Sequence, residues 1–135
     1  MTRRVSAITY AVITLAVVAF QIALAAGAPW GEYAMGGAVP GQLPPALRIS
    51  VLIQAALLAG MALVVLARAG LILPGWSRVS RWLIWFVIAI AGMSLFLNLI
   101  TPSAGERAIW APTISLLIVT SAIVAFSRSS KQYAR

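Results

Sequence analysis

The chain has no cysteine and no histidine, and only two of its 135 residues are acidic. Without cysteine it cannot run a thiol–disulfide relay or hold a metal through thiolates. Without histidine it lacks the commonest proton shuttle and the imidazole ligand of haem and zinc sites. No Ser–His–Asp triad, metal-ligand set or paired-carboxylate site can be assembled from what remains. We therefore expect no metal and no cofactor, and binding is a stronger expectation than catalysis.

Charge is scarce in general, since charged residues make up 9% of the chain and hydrophobic residues 62%, with a mean hydropathy of +1.01. Soluble domains are nearer ~25% charged. The formal net charge of +8 does not indicate nucleic-acid binding, because the basic residues stand singly and form no stripe interleaved with aromatic residues. They are typical of contacts with anionic lipid head groups. The composition predicts a single integral membrane domain over residues 1–135.

Four apolar stretches cover residues 5–26, 47–67, 82–100 and 109–126. Each is about long enough to cross the ~30 Å hydrocarbon layer as a helix. They predict an all-α, up-down-up-down transmembrane bundle of four helices. The first stretch exceeds the 7–15 residues of a signal-peptide core, so we expect it to stay in the protein as a helix.

The basic residues are distributed unevenly about these stretches. All but two of the ten lie before the first, between the second and third, or after the fourth, whereas both glutamates lie on the other side. Cytoplasmic flanks collect lysine and arginine, so we expect a cell-membrane protein with both termini in the cytoplasm. The residues on the expected cytoplasmic side are Arg3, Arg4, Arg68, Arg78, Arg81, Arg128, Lys131 and Arg135.

The two connections expected on the outer side carry clear turn and helix-start patterns. Residues 27–46 hold five of the ten glycines and four of the seven prolines, which predicts an ordered loop lying over the helix ends. Pro44 and Pro45 favour the start of the second helix. Ser103 and Glu106 have the spacing of a capping box, which predicts that the fourth helix begins at Ala104.

The large polar side chains of the apolar stretches all fall toward the outer side. One interpretation is an outward-facing pocket beneath the glycine- and proline-rich loop, since polar groups in hydrocarbon tend to face a cavity or a partner. The other is that the amide side chains only join the helices through hydrogen bonds of ~0.6 kcal/mol each. The candidate ligand or loop-ordering residues are Gln21, Trp30, Glu32, Arg48, Gln54, Asn98, Glu106, Arg107 and Trp110.

The two glutamates have different expected roles. Glu106 is the third residue of the expected fourth helix, where a carboxylate satisfies free amides and opposes the helix dipole; a catalytic acid is the alternative. Glu32 has no such local function. We expect it to form an ion pair with Arg48 or Arg107 that orders the loop, and ligand contact is the alternative.

The loop sequence from Gly27 to Tyr33, followed by Gly36-Gly37 and Leu43-Pro44, resembles a group of small four-helix bacterial membrane proteins without assigned function. The second outer connection, which carries Thr101-Pro102-Ser103, Glu106-Arg107 and Trp110, is similar to the other motif of that group. Because that group has no assigned function, the resemblance implies no activity for this chain. It implies that the outer face, where both motifs lie, is the working surface.

These observations predict a membrane protein whose outer face binds a lipid, a small molecule or a partner subunit, with homo-oligomerisation as a further possibility. Two alternatives remain open. One is a membrane-embedded enzyme or isomerase that uses Glu32 and Glu106, and the other is a minimal homodimeric transporter. A transporter needs a polar path through both halves of the bundle, which the apolar inner half of the sequence disfavours.

Overall fold

A computed structural model describes residues 2–128, which form four long helices and, within that range, no strand. The helices are α1 (Thr2–Ala26), α2 (Pro45–Arg68), α3 (Ser77–Ile100) and α4 (Ala104–Phe126). Short 3-10 turns cover Gly31–Tyr33, Met35–Gly37 and Pro74–Trp76. All four helices are long and apolar enough to cross a membrane, so the predicted all-α transmembrane bundle is confirmed.

Every helix contains its predicted apolar stretch but starts earlier in the chain. The largest offsets are at α3, which begins at Ser77 while its apolar stretch begins at residue 82, and at α4, which begins at the predicted Ala104 while its apolar stretch begins at residue 109. Hydropathy detects only the apolar part of a helix, whereas backbone hydrogen bonding continues through the polar residues at its end. Lys131 and Arg135 lie outside the described residues.

The predicted starts of α2 and α4 are correct. Pro45 is the first residue of α2, with Pro44 in extended conformation before it. Ser103 caps α4, because its Oγ accepts a hydrogen bond from the backbone N–H of Glu106 at 3.1 Å. Because α2 and α4 begin at these residues, the loops before them lie against the helix ends. The candidate site is built at this end of the bundle.

Two groups of contacts define the two ends of the bundle. At one end, Ser103 Oγ donates to the backbone oxygen of Glu32 at 2.8 Å, so the α1–α2 loop touches the α3–α4 turn. We call this the glutamate end. At the other end three arginines lie near one another: Arg3 is close to Arg68, and Arg68 is close to Arg81. We call this the arginine end.

The larger of the two buried apolar cores lies toward the arginine end. α1 runs along both α2 and α4, and α3 along α4, while α2 and α3 touch less. Apolar side chains fill the interior there, and many others face outward, such as Leu15 and Phe86, which are 69% and 66% exposed. Exposed apolar side chains of this kind are favourable where the bundle is surrounded by lipid hydrocarbon. The buried core at this end consists of Ala7, Tyr10, Val65, Ala69, Ile84, Val87, Leu117 and Val124.

A second, smaller core lies under the α1–α2 loop at the glutamate end. Leu43 inserts from the loop and is 1% exposed, packing with Leu24 of α1 and Val51 of α2. The loop folds back on itself through Gly31, whose N–H donates to Gly41 O at 2.9 Å. A Cβ at Gly31 would lie 1.9 Å from Val39 O, so glycine is required at this close approach. The loop is therefore a packed cover and not a loose connection.

Candidate functional site

A cavity of about 300 Å³ lies among all four helices and extends toward the glutamate end. Three loop residues, Tyr33, Ala34 and Met35, contribute to its wall there, and Tyr10, Met61 and Leu117 line its deeper part. Most of the wall is apolar. Polar groups come from every helix and from the loop, on Tyr10, Gln21, Tyr33, Gln54, Ser94, Asn98, Glu106, Trp110 and Thr113.

Gln21 and Gln54 join α1 to α2 beside the cavity. Gln21 Nε2 donates to Gln54 Oε1 at 3.2 Å. This is the interhelical amide bond that the sequence offered as the alternative to a ligand site, and it leaves Gln21 Oε1 buried without a partner in residues 2–128. The same pair therefore fixes two helices and keeps an acceptor beside the cavity.

Asn98 lines the cavity from the last turns of α3. Its Nδ2 donates to Ser94 O at 2.8 Å, one helical turn back. A backbone carbonyl can only accept, so this bond fixes which side-chain atom is nitrogen and which is oxygen. Asn98 Oδ1 is then an acceptor that is buried and has no partner among the described residues.

Glu106 is buried at the start of α4 and lines the same cavity. Its Oε2 accepts from Thr101 Oγ1 at 2.7 Å, and Thr101 Oγ1 accepts from Ser103 N at 3.4 Å. In an ordinary capping box the glutamate reaches the N-cap amide directly. Here the Thr101 hydroxyl stands between them, which turns the carboxylate away from the cap and toward the bundle interior.

Aromatic side chains close the cavity on the α1–α4 side. Trp110 Nε1 donates to the backbone oxygen of Tyr33 at 2.7 Å, which holds the loop against α4. The Phe20 ring packs edge-on to Trp110, with centroids 4.8 Å apart, and stacks with Trp30 at 6.0 Å. Phe20 and Trp110 line the cavity, whereas Trp30 covers Phe20 from outside.

The two arginines of the glutamate end are held by backbone carbonyls. Arg48 Nε donates to Leu43 O at 2.7 Å, and its Nη1 lies 3.6 Å from where a Cβ would stand on Gly27, just past the end of α1. Arg107 Nη1 donates to Thr101 O at 3.0 Å. A cation at a helix C-terminus is favourable because the last carbonyls are unpaired.

The prediction that Glu32 forms an ion pair with Arg48 or Arg107 is therefore wrong. Within residues 2–128, neither Arg48 nor Arg107 pairs with it, and its side chain is exposed. The loop is ordered instead through its backbone, since the Glu32 carbonyl accepts from Ser103 Oγ.

Five of the nine sequence candidates line the cavity and four do not. Trp30, Glu32, Arg48 and Arg107 shape the loop and the α3–α4 turn instead. Phe20, Tyr33 and Thr101 were not predicted as site residues. Tyr33 and Thr101 lie inside the two loop motifs and could have been found there, whereas Phe20 looks like any apolar residue of a membrane span. The candidates on the cavity are Gln21, Gln54, Asn98, Glu106 and Trp110.

An apolar groove on the surface of the bundle adjoins the cavity. The groove lies between α2 and α3, has a volume of about 560 Å³, and is separated from the cavity by Leu57, Met61 and Ile90, which line both. Gly60 lies in it with no neighbouring atom within 4 Å of a Cβ position. α2 and α3 touch less than the other adjacent helices, so the groove follows the least tightly packed side of the bundle.

Residues 2–128 contain no cluster of three metal-ligating side chains. Protein-family models, curated proteins and solved structures give no match to this chain.

Proposed function

We propose that this is a multi-pass membrane protein that binds a small apolar or amphiphilic molecule in its central cavity. The single observation that carries the proposal is the cavity itself. It has an apolar wall, one buried carboxylate and two buried oxygens without partners, at the end that carries both loop motifs. Sites for small molecules are mostly apolar with a few placed polar groups, and this wall has that character.

The proposed orientation follows from the charges. Arg3, Arg68 and Arg81 lie together at one end, and no acidic residue lies near that end in the sequence. Lysine and arginine gather on the cytoplasmic side, so the arginine end would face the cytoplasm, in an up-down-up-down bundle with both termini inside. The cavity and its loop cover would then face outward.

The other functions that the sequence left open have less support. A two-carboxylate enzyme needs both glutamates at one site, but only Glu106 lines the cavity, whereas Glu32 is exposed on the loop. A transporter needs a polar path through the whole bundle. The interior toward the arginine end has an apolar core together with buried hydroxyl groups, but Ser80, Thr120 and Ser121 bond to carbonyls of their own helices and no charged side chain lines the deeper cavity wall.

A cavity-filling substitution tests the proposal. Ala91 of α3 is 5% exposed and lines the cavity, so Ala91→Phe would fill part of it. Ala89 is exposed on the same helix and absent from the cavity wall, so Ala89→Phe adds the same ring to the outer surface. Wild type and both variants would be extracted with their own lipids and measured by native mass spectrometry.

The expected result is a retained small molecule on the wild type and on Ala89→Phe that is lost from Ala91→Phe. Circular dichroism checks that the variants remain helical, and the smaller Ala91→Val replaces Ala91→Phe if the larger ring prevents folding. The proposal is overturned if the wild type carries nothing from several membranes, or if the Ala91 variants retain the molecule as well as Ala89→Phe does.

A further inference from the structure

The polar groups of the cavity show what kind of head group would fit it. Several side-chain donors of the wall are already used: Asn98 Nδ2 donates to Ser94 O, Thr113 Oγ1 to Ile109 O at 2.7 Å, and Trp110 Nε1 to Tyr33 O. Both buried polar atoms of the wall that lack a partner in residues 2–128 are carbonyl oxygens, Gln21 Oε1 and Asn98 Oδ1. A molecule that brings hydrogen-bond donors would satisfy these two acceptors.

The charge of the wall points the same way. Glu106 is buried and lines the cavity, while no lysine or arginine of residues 2–128 does so. The nearby Arg48 and Arg107 are turned to backbone carbonyls. One oxygen of Glu106 accepts from Thr101, and the other accepts no hydrogen bond from a described residue. A buried carboxylate without a cation favours a positively charged partner and disfavours a phosphate, sulfate or second carboxylate.

We infer that the cavity takes a single-chain amphiphile with a primary ammonium head group, whose alkyl chain leaves through the groove between α2 and α3. This inference rests on the proposed function and names its ligand class. A primary ammonium carries one positive charge and three donors, which matches one carboxylate and two free carbonyl oxygens. A quaternary ammonium has the charge but no donor, and an alcohol has a donor but no charge.

The site disfavours an aminophospholipid. In such a lipid the phosphate follows the ammonium after two carbons, so it would enter the same acceptor-rich, negatively charged part of the cavity. Its second acyl chain would also need a second groove. The α2–α3 groove is lined by apolar side chains, and Leu57, Met61 and Ile90 separate it from the cavity. In this inference one alkyl chain passes between these three side chains and stays in the lipid while the head group is held inside.

Binding of four twelve-carbon probes tests the head-group preference. Dodecylamine, dodecanol, dodecyltrimethylammonium and dodecanoate would be titrated at pH 7 into the purified full chain in nonionic detergent, with tryptophan fluorescence as the readout. The amine is protonated at this pH, as a lysine side chain is. N-acetyltryptophanamide in the same detergent measures the response to partition into the micelle, which is subtracted from the wild type and every variant. Dodecylamine is expected to bind saturably and at least about tenfold more tightly than the other three.

Variants of the acceptors supply the second comparison. Glu106→Gln keeps an oxygen for Thr101 but removes the charge, and Glu32→Gln makes the same change on the exposed loop. We expect Glu106→Gln to weaken dodecylamine binding by at least about tenfold and Glu32→Gln by less than about twofold. Asn98→Leu removes the free oxygen of α3 and is expected to act like Glu106→Gln, so the test stands even if one of the two variants does not fold.

The groove is tested through chain length. Gly60→Phe places a ring where a Cβ meets no other atom, so the bundle has room to fold around it. It is expected to weaken binding of dodecylamine severalfold while leaving binding of hexylamine unchanged. Equal losses for both amines would show that the chain does not use the groove.

The outcomes separate this inference from the proposed function. If dodecanol binds as tightly as dodecylamine, and Ala91→Phe abolishes both, the cavity is a ligand site but the ammonium preference is wrong. If Glu106→Gln and Asn98→Leu bind dodecylamine as the wild type does, the preference is also wrong. If Ala91→Phe binds every probe as the wild type does, the cavity is not a ligand site and both proposals fail.

Discussion

The indole Nε1 of Trp110 donates a hydrogen bond to the backbone oxygen of Tyr33 at 2.7 Å, across 77 positions of the chain. The bond joins α4 to the middle of the α1–α2 loop, directly beside the cavity. The bond also links the two loop motifs, because Tyr33 is the last residue of the Gly27–Tyr33 segment of the first motif and Trp110 belongs to the second. The loop cover and the cavity wall are thus coupled at one point.

Removing this bond is expected to loosen the loop. Trp110→Phe keeps an aromatic ring against Phe20 but leaves Tyr33 O without its donor, at a cost of about 1 kcal/mol. Trp85→Phe is the control, because Trp85 packs edge-on to Phe126 away from the loop. Unfolding in mixed SDS micelles, followed by circular dichroism, measures the free energy. We also expect faster hydrogen exchange over residues 31–37 in Trp110→Phe but not in Trp85→Phe. Identical exchange rates in the two variants would contradict the prediction.

The contact between Gly105 and Tyr33 gives a second prediction. A Cβ on Gly105 would lie 2.8 Å from Tyr33 Cε1, so Gly105→Ala must push the ring away, at a cost of about 1–3 kcal/mol. Gly92→Ala is the matched control, because a Cβ there meets nothing within 4 Å and alanine favours a helix by about 0.5–1 kcal/mol.

A double-mutant cycle identifies the cause of that loss. In a Tyr33→Ala background the ring is gone. Gly105→Ala is then expected to lower the free energy of unfolding no further than Gly92→Ala does. Both pairs would be compared in the same unfolding assay. A loss that persists without the ring would show that the close approach of Tyr33 is not what requires glycine at position 105.

The helices were predictable from the sequence because a membrane leaves few choices. Backbone groups in hydrocarbon must bond within their own segment, so an apolar run of span length becomes a helix. The start of α4 was also predictable, since the interaction between Ser103 and Glu106 is local. Both residues can be assigned to a helix cap from their spacing alone, because the cap does not depend on the path of any loop.

The positions of the loop side chains could not be predicted in the same way. Opposite charges in neighbouring outer segments suggested an ion pair of Glu32 with Arg48, but the end of α1 and the Leu43 carbonyl lie closer to that guanidinium. Trp30 and Trp110 were both ligand or loop-ordering candidates, and the sequence does not distinguish them. Only the packing shows that Phe20 stands between them, so that Trp110 reaches the cavity and Trp30 does not.

The Ser103 hydroxyl has two bonds, and a third prediction follows from them. It accepts from Glu106 N and donates to Glu32 O, so Ser103→Ala removes both the cap of α4 and a tie to the loop. We expect a loss of about 0.5–2 kcal/mol. Ser115→Ala removes a hydroxyl that bonds only within its own helix, to Ala111 O, and should cost little.

Threonine at position 103 separates the hydroxyl from other effects of the substitution. Ser103→Thr keeps an oxygen that can cap the helix, so it should retain most of the stability that Ser103→Ala loses. The same unfolding assay applies to all three variants. Equal stability of Ser103→Ala and Ser115→Ala would mean that this cap does not contribute to the fold.

The orientation of the bundle gives the last prediction, and the absence of native cysteine makes it simple to test. Ala38 is exposed on the α1–α2 loop and Ser77 is exposed at the start of α3, so a cysteine at either position is accessible without disturbing a buried contact. Because basic residues gather on the cytoplasmic side, Ala38→Cys should react with a membrane-impermeant maleimide in intact cells, and Ser77→Cys only after the cells are opened. A mass-tag shift on a gel measures both. Labelling of Ser77→Cys in intact cells while Ala38→Cys stays unlabelled would place the cavity on the cytoplasmic side. Its ligand would then have to come from the inner leaflet or the cytoplasm, although the acceptors that line the cavity would be the same.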